Sequence, residues 1–238
     1  MKRSILAWVF AFALAVAGSV FAWLWFAGGS GEPSAELTTP LVASGESSTS
    51  ERPPEVGSPV SFVIDPDRTT ASFELDEELR GSPQRVVGTT DQVAGQVLID
   101  ISDLSTVQFS DIVINARTLQ TDSERRDRAI RGPVILNSAS DDLEFITFSV
   151  GTVRGLDGDV SSGGSLEFTV AGDLTIKGVA NRETFTVSAS LVDTETIEGV
   201  ALASISRSAY DIGIPSVPGV ANVSDEVILS LEFVLTAG

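Results

Sequence analysis

Between Leu166 and Lys177 the chain alternates almost without a break. Leu166, Phe168, Val170, Gly172, Leu174 and Ile176 are apolar or small, and all the residues between them but Ala171 are polar or charged. Successive side chains of a strand point to opposite faces, so a period of two over a dozen residues specifies an antiparallel strand with one apolar and one solvated face. Its length is about twice the usual five or six residues. Such a strand cannot bury its apolar face alone and demands partners of the same kind.

The partners are present. Phe185, Val187, Ala189 and Leu191 alternate with Thr184, Thr186, Ser188 and Ser190, and Val227, Leu229, Leu231, Phe233 and Leu235 form a third run. Val93, Gly95, Val97 and Ile99 make a fourth, and Ile112, Ile114 and Ala116 a fifth. Phe62–Asp65, Ala71–Leu75, Phe145–Val150 and Ala201–Ser206 are further strand candidates. Turns are marked at Gly81-Ser82-Pro83, Asp157-Gly158, Ser162-Gly163-Gly164 and Lys177-Gly178. Only Asp122 to Arg131 reads as a helix, short and charged, with Asp122 or Ser123 as its N-cap. The 179 residues from Val60 to Gly238 therefore predict one all-β domain with one short helix. Strands this long favour an elongated antiparallel β-barrel; a sandwich is the alternative.

The residues before this domain differ in kind. Ile5 to Ala27 is 23 residues without a charge and holds all three tryptophans. As a helix it spans about 35 Å, enough for a hydrocarbon core of about 30 Å. Lys2 and Arg3 precede it, so the positive-inside rule puts residues 1–4 in the cytoplasm and residues 28–238 outside. The expectation is a single-pass anchor over residues 5–27 in the cell membrane; the alternative is a signal peptide cleaved after Ala22, behind Val20-Phe21-Ala22. Of the 32 residues from 28 to 59, 25 are Gly, Pro, Ser, Thr or Glu. That composition predicts a disordered linker, because it cannot bury enough apolar surface to offset ordering.

Composition excludes several chemistries. With no Cys and no His there is no disulfide, zinc finger, thiolate nucleophile or Ser-His-Asp triad. A net charge of −18 argues against nucleic acid as a partner, since phosphate would be repelled. Asp141, Asp142 and Glu144 lack the spacing of an EF-hand and read as ordinary loop acids. Asn222-Val223-Ser224 is a glycosylation sequon by pattern only.

Five ordered pieces of residues 60–238 resemble the YceI-like family. The most telling is Leu174-Thr175-Ile176-Lys177-Gly178-Val179, followed by a polar turn and the strand Thr184-Phe185-Thr186-Val187. The others are Phe62-Val63-Ile64-Asp65-Pro66 leading to Ala71-Ser72-Phe73, Val93 to Asp100, Arg125-Arg126-Asp127 followed by Glu144 to Phe148, and Ser206-Arg207-Ser208-Ala209-Tyr210-Asp211-Ile212-Gly213. The resemblance implies an extended lipocalin-like antiparallel barrel that holds a long isoprenoid chain, in an exported protein without catalytic activity. Where the family often carries a His on its helix, Ala129 stands here, so any head-group contact made by that His is lost.

An isoprenoid or isoprenoid-quinone ligand needs a deep apolar tunnel, because each buried CH₂ contributes about 0.8 kcal/mol and polar lining would forfeit it. The inward candidates are Val97, Ile99, Ile112, Ile114, Phe148, Phe168, Val170, Leu174, Phe185, Val187, Leu231 and Phe233, with Leu166, Ile176 and Leu229 on the same faces. Each of these serves equally as plain core. Gly95 and Gly172, on the apolar phase, are candidates for making room for a ligand, although bends also select glycine. Arg117, Arg125, Arg126, Arg128 and Arg131 are five of the fifteen cations; Arg125, Arg126 and Arg128 are candidate head-group contacts, the alternative being a solvated helix face. Arg207 and Asp211 read as a structural pair. The expectation is a membrane-tethered, extracytoplasmic, non-enzymatic binder of an apolar lipid, with no metal or cofactor and a homodimer allowed for. Its rival is a β-barrel interaction module of the cell envelope with a fully packed interior.

Overall fold

The computed structural model describes residues 28–42, 59–100, 103–156 and 164–238. Its strands are β1 (Val60–Ile64), β2 (Thr70–Leu79), β3 (Ser82–Thr90), β4 (Val93–Ala94), β5 (Gln96–Ile99), β6 (Gln108–Phe109), β7 (Ile112–Asn115), β8 (Phe145–Arg154), β9 (Ser165–Ile176), β10 (Val179–Asp193), β11 (Thr196–Ser206), β12 (Val220–Ala221) and β13 (Glu226–Ala237). Helix α1 (Glu124–Arg131) lies between β7 and β8. All the strands belong to one antiparallel sheet, paired along the path β4-β7-β8-β9-β10-β11-β13-β1-β5-β6.

That path closes. β4 and β5 are halves of one segment interrupted only at Gly95, and only Ser110 and Asp111 separate β6 from β7. Val93 pairs with Ile114 and Val97 with Phe109, so the first and last members of the path are the same two stretches of chain. The sheet curls until it meets itself and becomes a barrel. β1 pairs with one half of β13 (Ile64 with Leu235), and β2 takes up the other half (Phe73 with Leu229), extending the wall through β3. At about 3.3 Å per residue and a usual tilt of 35–45°, the 15 residues of β10 give a barrel roughly 40 Å long.

The turns follow from backbone chemistry. Lys177 and Gly178 both have positive φ (53° and 77°) and join β9 to β10 with Ile176 opposite Val179, the two-residue geometry that matches strand twist. Arg80 and Gly81 do the same between β2 and β3. β3 itself begins at Ser82, inside the stretch expected to be a turn. Its inward residues Val86, Gly88 and Thr90 are too mixed in polarity to alternate visibly in sequence. The expected turns at Asp157-Gly158 and Ser162-Gly163 lie outside the described residues.

The two ends of the barrel differ. At the end of the β9–β10 turn, Ile130 of α1 and Leu136 of the loop after it, together with Ala116, Leu119 and Tyr210 from neighbouring turns, are buried against Phe148, Leu174 and Ile176 and cover the bore. At the opposite end, reached by the β10–β11 turn, the cavity lining ends in half-exposed Leu104, Val107 and Leu156.

Residues 28–42 pack on the barrel. They belong to the stretch read as a disordered linker, yet they lie along the barrel wall. The Gly28 carbonyl accepts a hydrogen bond from Arg131 Nε at 2.8 Å, the Ser34 N–H donates to Glu144 Oε1 at 3.0 Å, and the Val42 N–H donates to Gln96 Oε1 at 2.8 Å. This stretch, low in apolar content, is held through polar bonds to Arg131, Glu144 and Gln96, the first two of them buried. Residues 1–27 and 43–58 lie outside the described residues, and with them the expected anchor and the rest of the linker. Among the described residues no helix is long and apolar enough to cross a membrane.

Candidate ligand-binding cavity

The barrel interior is not packed solid. It encloses a cavity of about 250 Å³, and none of its lining residues is charged. The polar ones are Ser72, Ser190 and Ser230. Each stands between inward apolar neighbours, such as Ala71 and Phe73 or Leu229 and Leu231, so the strand period turns its hydroxyl to the outer face. A water held there would lack the two to four polar partners it needs, and the bore suits hydrocarbon.

Twelve of the fourteen expected lining residues are at the cavity wall: Val97, Ile99, Ile112, Ile114, Phe148, Phe168, Val170, Leu174, Phe185, Val187, Leu231 and Phe233. Gly95 and Gly172 are not, and the reading that they clear space for a ligand is corrected. A Cβ on Gly172 would stand 2.3 Å from the Ser149 carbonyl oxygen and 2.8 Å from the Phe148 ring; one on Gly95 would stand 2.5 Å from Ile112. Both make room for protein. Gly88 and Gly199 do likewise for the rings of Phe73 and Phe233, which lie opposite them on the neighbouring strands. Aromatic rings seated over cross-strand glycines lie along the wall instead of across the bore. Phe148 is also fixed edge-to-face on Phe185, with centroids 4.9 Å apart. Lining residues missed in sequence include Leu104, Val107 and Phe109, which stand in short irregular segments without alternation, and Ile146, which shares the phase of Phe148 and was legible.

The arginines read as candidate head-group contacts do not line the cavity. Arg125, Arg126 and Arg128 lie on α1 at the covered end, and none lines the cavity. Arg126 is paired with Glu77 at 3.0 Å and with Asp122. Arg207 is bound to the carbonyls of Ser224 and Ile212 and approaches Asp225, not Asp211. The helix motif thus serves the barrel end, because α1 must satisfy its own charges while its apolar side caps the core.

A polar node beside that end was not foreseen. Glu144, set aside as a loop acid, is 0% exposed. It accepts from Asn115 Nδ2 at 2.7 Å, from the backbone and hydroxyl of Ser34, and pairs with Arg117 at 3.3 Å. Arg117 in turn donates to the Ser138 carbonyl and to Asp141. Burial raises the Glu144 pKa, but the Ser34 and Asn115 hydrogen bonds and the Arg117 charge outweigh it and hold the carboxyl below its usual range.

This sets a pH dependence. A depressed folded-state pKa contributes stability that is fully present above the unfolded value of about 4.3 and lost as pH falls through the folded one. The melting temperature is therefore expected to owe no change to Glu144 between pH 7 and about 5, and to fall below about pH 4. In a Glu144→Gln variant this part of the acid loss should disappear, as thermal melts across pH would record.

Comparison with known proteins agrees with this geometry. A UPF0312 protein of Staphylococcus aureus (strain USA300) is 28% identical over 159 residues, covering 64% of this chain and 82% of the relative. The fold matches BcnA of Burkholderia cenocepacia (TM-score 0.56, 20% identity, 72% of this chain and 98% of that one). It also matches a polyisoprenoid binding domain from Saccharophagus degradans (TM-score 0.58, 14% identity, 75% of this chain and 99% of that one). The model of the YceI-like domain matches residues 62–235, nearly the whole barrel, and the chain belongs to that family.

Proposed function

We propose that this chain is a non-enzymatic carrier that holds an apolar lipid, a polyisoprenoid or isoprenoid quinone, inside its barrel. One observation carries the reading: a cavity of about 250 Å³ whose lining has no charged side chain and turns no hydroxyl inward. Such a wall rewards hydrocarbon at about 0.8 kcal/mol per CH₂ and penalises any polar ligand by leaving its groups unpaired. The fold match to a domain that binds polyisoprenoid supports the ligand class. Residues 5–27 would anchor the chain in the cell membrane with the barrel on the extracytoplasmic side, on the argument of their length and flanking charge. The cavity speaks for this reading over the packed-interior alternative.

The test is ligand identification on the full-length purified chain. Mass spectrometry of organic extracts is expected to find a long-chain isoprenoid, and adding a polyprenol at about a hundred times its Kd should raise the melting temperature by roughly 5–10 °C. Extracts free of isoprenoid, together with an unmoved melting temperature, would reject lipid binding.

A further inference from the structure

The docked segment 28–42 decides which end of the barrel meets the membrane. We infer that it is a strap that fixes the barrel with helix α1 against the lipid phosphates and the β10–β11 turn pointing away. The inference rests on reading residues 5–27 as the anchor.

Gly28 directly follows the last residue of the apolar run and is itself buried on α1. A Cβ there would stand 2.1 Å from the Arg128 carbonyl oxygen, so the chain passes as close to the helix backbone as glycine allows. Gly31 packs on the Arg131 guanidinium, which also binds the Gly28 carbonyl. Further along, Ser34 is bound to buried Glu144 and Val42 to Gln96. The strap therefore starts at the covered end and runs along the wall toward the opposite one. No slack remains between the end of the apolar run and α1. A flexible coil of 32 residues would reach on the order of 30 Å and leave orientation free; a strap docked from its first residue does not.

Charge agrees. The chain carries −18 overall and would be repelled by an anionic leaflet over most of its surface. α1 has four arginines against two acids; Arg131 and Asp127 are buried, and Arg126 is paired with Glu77 and Asp122. Exposed Arg125 and half-buried Arg128 lie on the same helix as the Gly28 contact. The strap precedes residues 62–235, the part matched by the family model. Its consequence is directional: the end of the cavity lined by Leu104, Val107 and Leu156 faces away from the anchoring bilayer.

The chain has no cysteine, so single labels are clean. Glu124→Cys on α1 and Glu195→Cys in the β10–β11 turn mark the two ends at exposed positions. Each full-length variant is labelled with a fluorophore and reconstituted into phosphatidylcholine–phosphatidylglycerol vesicles bearing a nitroxide on the headgroup. Flotation is read first, and failure to float overturns the anchor reading and the orientation with it. Given flotation, quenching at position 124 should exceed that at position 195 at least threefold. Equal or reversed quenching overturns the orientation while leaving the anchor intact. Gly28→Val, which cannot dock on Arg128, should bring the ratio toward one with the barrel still folded by circular dichroism; an unchanged ratio would show that the strap is not what fixes the barrel.

Discussion

Glu144→Ala lowers the stability of the barrel by about 3–5 kcal/mol, the range expected when one partner of a buried ion pair is removed. No other single contact in the node serves so many elements. The carboxylate binds Asn115 at the end of β7, Arg117 in the turn after it, and Ser34 on the strap, all from a side chain with no solvent exposure. Its loss leaves the Asn115 amide and the Ser34 N–H short of an acceptor. It also strips Arg117 of its buried counter-ion, although Asp141 and the Ser138 carbonyl remain. For a domain of this size the melting temperature should drop by roughly 10–15 °C. Limited proteolysis should cut the strap before the barrel, because the strap loses its central attachment while the wall keeps its ladder. Glu144→Gln, which keeps an acceptor for Asn115 or Ser34, should lose distinctly less. A Glu144→Ala melt within about 2 °C of the parent would show that the node does not hold these elements.

The barrel wall was legible because period two is a local signal. Any residue between Leu166 and Ile176 declares its face by the two beside it, and twelve expected lining positions stand at the cavity on that basis alone. β3 was not legible, since Gly88 and Thr90 on its inward side break the contrast, and what makes Gly88 inward is the Phe73 ring of the neighbouring strand. The two glycines were misjudged for a related reason: a missing side chain in sequence does not say what fills the space. At Gly172 it is Phe148, and at Gly95 it is Ile112. The polar node is a purely tertiary feature. Glu144 is separated by 29 residues from Asn115 and by 110 from Ser34, and no spacing rule joins them. The strap is hidden twice, because its composition argues for disorder and its partners lie far along the chain.

Ala201→Phe should empty the bore and leave the fold standing. Ala201 is 9% exposed, lines the cavity from β11, and faces Val187 and Leu231 across its two ladders, both also at the cavity wall. A phenyl ring introduced there has nowhere to go but the middle of the bore, and it brings no polar atom that would need a partner. If it displaces even two or three CH₂ groups of a bound chain, the loss at about 0.8 kcal/mol each amounts to a tenfold or greater fall in affinity. Overpacking ordinarily costs about 1–3 kcal/mol, but a ring entering a void recovers part of that through new contacts. The melting temperature of ligand-free protein should therefore stay within a few degrees of the parent. Leu202→Phe, at the neighbouring outward position, is the control and should bind as the parent does. The opposed outcomes separate the readings. Lost isoprenoid with a retained fold puts the ligand in the bore; parental binding by Ala201→Phe would mean that lipid, if bound at all, sits on another surface.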